Sequence, residues 1–119
     1  MGQYEEALNY FFKLDFIESN CVKAWRGIGW CSFISLKYEQ AMKYYEKIIE
    51  QKPLAIDYMN AGHVAWVMGD IQKAAVFYGK AITACGNRER FLEMFHKDEE
   101  PLLKQGIREE DIPLMLDLL

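Results

Sequence analysis

A short pattern built around one alanine recurs along this chain and restricts the folds open to it. Tyr4-Glu5-Glu6-Ala7 is followed by Tyr38-Glu39-Gln40-Ala41 and then by Ile71-Gln72-Lys73-Ala74. The copies are 34 and then 33 residues apart, and an aromatic residue follows each alanine by four positions. A fixed period of this length is typical of helical repeat arrays, in which each unit buries its apolar face against its neighbours.

The rest of the unit repeats as well. Trp25, Ile28, Gly29 and Ser32 are matched one period later by Tyr58, Ala61, Gly62 and Ala65. Large apolar residues at spacings of three and four form one face of a helix. Glycine and alanine at the other repeated positions allow two helices to approach closely. Ser19, Pro53 and Gly86 close the three copies. We therefore expect helices at residues 3–18, 21–35, 38–51, 54–68, 71–85, 88–96, 99–105 and 109–118.

These residues at these spacings resemble the tetratricopeptide repeat family over residues 3–86. The resemblance implies an all-α fold, a right-handed superhelix of antiparallel helix pairs with a short non-repeat helical tail. We expect one half repeat plus two full repeats at residues 1–87 and a tail at 88–119 that packs on the array or extends it. The half repeat lacks a first helix, so we expect Ala7, Leu8, Phe11 and Leu14 to be an exposed apolar face open to self-association.

The resemblance also implies a function, a protein-interaction scaffold that holds a peptide or protein segment in a concave groove without catalysing a reaction. Aromatic residues, methionine and a few polar anchors suit such a groove. The positions carried over from the family are Lys23, Arg26, Trp30, Phe33, Met59, Asn60, His63 and Trp66. Two alternatives stay open: a purely structural segment of a longer array, and a secretion-type chaperone built from such repeats.

Composition narrows the classes of partner and site. The net charge of −4 argues against nucleic acid, and no apolar run is long enough to span a membrane. Three scattered cysteines fit neither a zinc site nor a redox pair and suggest reduced thiols in a cytoplasmic protein. No acid–base pair, metal site or cofactor motif is present, so we expect no enzyme and no cofactor. The acidic triplets 98–100 and 109–111 are expected to begin helices, where negative charge is favourable.

Overall fold

The computed structural model describes residues 2–119, and that part of the chain consists of helices joined by short turns, without strands. Each of the eight expected helices is present, with ends within two residues of those predicted. The predicted all-α fold of helix pairs is confirmed. The helices are α1 (Gly2–Ile17), α2 (Val22–Ile34), α3 (Tyr38–Ile49), α4 (Ala55–Val67), α5 (Ile71–Cys85), α6 (Arg88–His96), α7 (Glu99–Lys104) and α8 (Asp111–Asp117).

The described residues form two compact units, and unit 1 comprises residues 2–53 with α1, α2 and α3. Helix α2 packs against both of its neighbours. A methyl group built on Gly29 would lie 2.8 Å from the Tyr45 ring, so the absence of a side chain at Gly29 lets α2 and α3 approach. Two polar contacts border the core. The Trp25 indole donates to Asp15 over 2.8 Å, and the Lys47 ammonium lies 4.5 Å from the Trp25 ring centroid.

The face of α1 that points toward solvent differs from the one expected. Leu8 is buried, and Ala7, Phe11 and Leu14 are at least half-buried, so the predicted exposed face is wrong. The reason is the neighbouring helix. A methyl group on Gly27 of α2 would lie 2.4 Å from the Phe11 ring, which shows how closely the two helices meet. The exposed large apolar residues of α1 are instead Tyr4, Tyr10, Phe16 and Ile17, and Phe16 is 93% exposed.

The turns inside the two helix pairs are built alike. Leu36 has φ of +67° and Gly69 has φ of +91°, and both lie in the left-handed region. In each turn, the N–H of the residue after the left-handed one donates to a carbonyl oxygen five residues earlier. Lys37 donates to Ser32 over 2.8 Å, and Asp70 donates to Ala65 over 2.9 Å. This hydrogen bond ends the first helix with a left-handed residue. Leucine is strained in that conformation, whereas glycine adopts it without strain.

Unit 2 comprises residues 54–119 and contains α4 to α8. Helices α4 and α5 form the second repeat, with Gly62 of α4 against the Tyr78 ring of α5. Asp70 accepts from the N–H of Lys73 to begin α5, and Gly86, with φ of +87°, ends it. The tail helix α6 then packs on α5. Its Phe91 and Phe95 rings are buried, with centroids 5.8 and 5.6 Å from that of Tyr78.

Candidate functional site

Four of the eight residues predicted to line a groove lie on α2 in unit 1. Lys23 is exposed, Arg26 and Trp30 are half-buried, and Phe33 is buried. Lys23, Arg26 and Trp30 are separated by three and four positions, so they share one face of the helix. The Trp30 ring leans on Phe33, with centroids 5.5 Å apart. Helix α2 therefore carries two cationic side chains and, one turn further along the same face, an indole.

The other four lie on α4 in unit 2, where three of them are enclosed. Met59, His63 and Trp66 are buried, and Asn60 is half-buried. The cover over His63 and Trp66 includes the tail, because the Phe95 ring of α6 lies 5.6 Å from His63 and 6.4 Å from Trp66 between centroids. The Phe95 ring of α6 therefore covers part of the α4 face that carries these two side chains.

Asn60 has an unusual environment for a polar side chain. Its amide oxygen is buried and has no hydrogen-bond partner among residues 2–119. A buried acceptor of this kind costs about 1–3 kcal/mol when it stays unpaired. A hydrogen-bond donor from water or from a bound molecule would remove that cost.

Tyr78, His63 and Asp98 form a chain of hydrogen bonds, here called the relay, that joins the repeat to the tail. Its Nδ1 lies 2.6 Å from the Tyr78 hydroxyl, and its Nε2 lies 3.0 Å from Oδ2 of Asp98. A neutral imidazole has one donor and one acceptor nitrogen. The hydroxyl of Tyr78 then donates to Nδ1, while Nε2–H donates to the Asp98 carboxylate. Both nitrogens are satisfied in this tautomer.

Burial sets the protonation state of the relay. Enclosure of the imidazole lowers the pKa of His63 below its ordinary value of 6.5, against the opposing effect of the Asp98 carboxylate. Burial, together with the charge of Asp98, raises the pKa of Tyr78 well above its ordinary value. Neutral forms are therefore favoured at both residues near pH 7. His63 and Tyr78 are each 0% exposed, and the hydrogen bonds of His63 connect α4 to α5 and to the tail.

The relay was not visible in the sequence. Asp98 was expected to stabilise the start of a helix by its position, yet its side chain makes no capping hydrogen bond to α7. It binds a histidine 35 residues earlier instead. No local spacing relates two residues so far apart. The one available signal was His63 within the apolar stretch 61–67 of α4, because a buried histidine needs polar partners.

Two other kinds of functional feature are absent from residues 2–119. Within that range, no group of three or more His, Cys, Asp or Glu side chains is placed to share a metal ion. None of the helices described combines the length and apolar character that a membrane crossing requires.

Comparison with known proteins identifies the repeats. The family described as tetratricopeptide repeat matches residues 23–53 and 58–88, which correspond to the α2–α3 and α4–α5 pairs. These two matches cover more than half of the chain. A search of curated proteins finds no significant match. The two matched segments, each a helix pair with a glycine at the contact between its helices, show that this chain belongs to the tetratricopeptide repeat family.

Proposed function

We propose that this chain binds a segment of another protein along the surface of α2 formed by Lys23, Arg26 and Trp30. Tetratricopeptide repeats generally mediate protein–protein interactions, and the family is typically not enzymatic. The observation that carries the proposal is the half-buried indole of Trp30 on the same helix face as two cationic side chains.

The chemistry of this surface suggests the kind of segment it suits. Trp and Arg are the residue types most enriched in binding hot spots, since each combines a large contact area with polar recognition. Trp30 offers an apolar surface, whereas Lys23 and Arg26 offer positive charge. We infer that the bound segment carries a large apolar side chain next to a carboxylate. The α4 side chains covered by tail helix α6 contribute little to its binding.

Site-directed crosslinking tests this proposal and identifies the partner in the same experiment. A photoreactive phenylalanine analogue replaces the exposed Lys23, and a control replaces Lys104, an exposed residue of α7. We expect a crosslinked protein at position 23 and not at position 104. Trp30→Ala should weaken binding of that protein by at least about tenfold, as expected for a hot-spot aromatic residue. Identical products at both positions, or unchanged binding by Trp30→Ala, would contradict the proposal.

A structural role in a longer array is favoured by a separate observation, the exposed Tyr10, Phe16 and Ile17 of α1. Exposed apolar side chains of this size can contribute to a contact surface. The mass in solution over a hundredfold concentration range distinguishes the two roles. Association that Phe16→Ser and Ile17→Ser abolish would support this second role, while a monomer at every concentration would count against it.

A further inference from the structure

Unit 2 contains a cavity of about 490 Å³ that the repeats alone would not form. Helix α8 supplies most of its lining, and α4 and α5 supply the rest. Trp66 and Met115 are its buried lining residues. Ile71, Leu114 and Leu118 border it and are 47%, 63% and 61% exposed. The volume falls in the range of roughly 300–1,000 Å³ typical of ligand pockets, and the lining is mainly apolar.

Two kinds of contact hold α8 beside the cavity. Ile112 and Met115 are buried and anchor the inner face of the helix. At its C-terminal end, the guanidinium of Arg88 donates to the carbonyl oxygens of Leu116 and Leu119 over 3.1 and 3.2 Å. A basic group at this end of a helix hydrogen-bonds to the last carbonyls and interacts favourably with the helix dipole.

The charged residues at the cavity restrict the chemistry of the ligand that it suits. Asp111 and Asp117 both line it, and neither carboxylate takes part in an ion pair within residues 2–119. Two unpaired carboxylates beside three half-exposed aliphatic side chains favour a ligand that is apolar at its centre and cationic at its edges. A neutral apolar molecule would make no favourable charge contact with either carboxylate.

We propose that this cavity is a second docking site, for a segment of a partner protein with adjacent large aliphatic side chains flanked by lysine or arginine. The aliphatic side chains enter between Leu114, Leu118 and Ile71, and the flanking cations pair with Asp111 and Asp117. This site goes beyond the proposed function of α2 and does not depend on it, because its lining residues all belong to unit 2.

Fluorescence anisotropy with two labelled peptides tests the proposal on the full chain. Both peptides carry the same central leucine and isoleucine residues, with two lysines at each end of one and two glutamates at each end of the other. We expect the lysine-flanked peptide to bind at least about tenfold more tightly at low salt, with the difference shrinking as salt is added. Replacing both acids, D111N with D117N, should remove most of that preference.

Two matched substitutions separate docking from folding. Leu114→Asn removes an exposed apolar side chain from the cavity and should weaken binding at least about tenfold. Leu103→Asn removes a leucine that is 39% exposed on α7 outside the cavity, and should leave binding unchanged. Circular dichroism melting of both variants checks that folding is intact, and a third variant, Leu118→Asn, serves if Leu114→Asn melts early.

Several outcomes would overturn the proposal. These are the absence of binding by the lysine-flanked peptide up to millimolar concentration, equal affinity for both peptides, and equal effects of Leu114→Asn and Leu103→Asn. Sedimentation that shows a dimer lost on Leu114→Asn would assign the cavity to a second copy of the chain instead. Trp30→Ala should leave peptide binding unchanged, so failure here is distinguishable from failure of the α2 proposal.

Discussion

Substituting alanine at two helical glycines, Gly62 and Gly79, is expected to change stability in opposite directions. Both lie inside helices of the second repeat, where glycine is less favourable than alanine by about 0.5–1 kcal/mol. At Gly62, however, the added methyl carbon would lie 2.7 Å from two atoms of the Tyr78 ring and 3.1 Å from a third. Favourable contacts between carbon atoms lie at about 3.5–4.0 Å. At Gly79 the methyl group would meet nothing within 4 Å.

The Tyr78 ring has little freedom to move away from a methyl group at Gly62. Its hydroxyl is bound to His63, and its ring lies against Phe91 and Phe95. Overpacking of a closed core costs about 1–3 kcal/mol. After subtraction of the helix-propensity gain, Gly62→Ala should lower the free energy of unfolding by up to about 2.5 kcal/mol. Gly79→Ala has no opposing clash and should raise that free energy by about 0.5–1 kcal/mol.

Urea unfolding followed by far-ultraviolet circular dichroism measures both changes under identical conditions. The two variants carry the same chemical change in the same repeat, so each is a control for the other. Equal shifts of the unfolding midpoint in the same direction would refute the argument, because they would mean that packing against Tyr78 does not restrict position 62.

Three further expectations concern the relay and the turns. Tyr78→Phe keeps the ring but leaves Nδ1 of His63 without a donor, so it should lower the free energy of unfolding by about 1–3 kcal/mol in urea. Tyr58→Phe is the control, since the Tyr58 hydroxyl makes no hydrogen bond within residues 2–119, and a similar loss there would contradict the assignment. Because burial lowers the pKa of His63, the unfolded chain takes up a proton first as the pH falls, so this contribution to stability is complete above about pH 6.5 and decreases below it. Urea unfolding at pH 7.5 and 5.5 should show this decrease in the free energy of unfolding, at most about 1.4 kcal/mol per pH unit. The decrease should be smaller in His63→Gln, and an equal decrease in that variant and in the unsubstituted chain would exclude His63 as the source. Leu36→Gly should stabilise unit 1 by about 1 kcal/mol, because glycine adopts a positive φ without strain. A less stable variant would show that Leu36 makes contacts that outweigh the strain.

The predicted binding residues show how far sequence reasoning extends toward a site. The α2 positions were implied by the family resemblance, and Lys23, Arg26 and Trp30 retain surface in the structure. The α4 positions follow the same spacing, yet His63 and Trp66 are enclosed under Phe95. Helical spacing fixes which side chains share a face. It does not show whether another part of the chain covers that face.

The sequence by itself determined the helices and their pairing into repeats, because helix periodicity, turn residues and small residues at close contacts are local features that recur at a fixed period. Only the tertiary structure decided the docking of the tail. The contact between His63 and Asp98, the cover over α4 and the cavity beside α8 each join residues far apart in the chain. Such contacts depend on shape and on buried polar groups finding partners, and neither has a signature in local spacing.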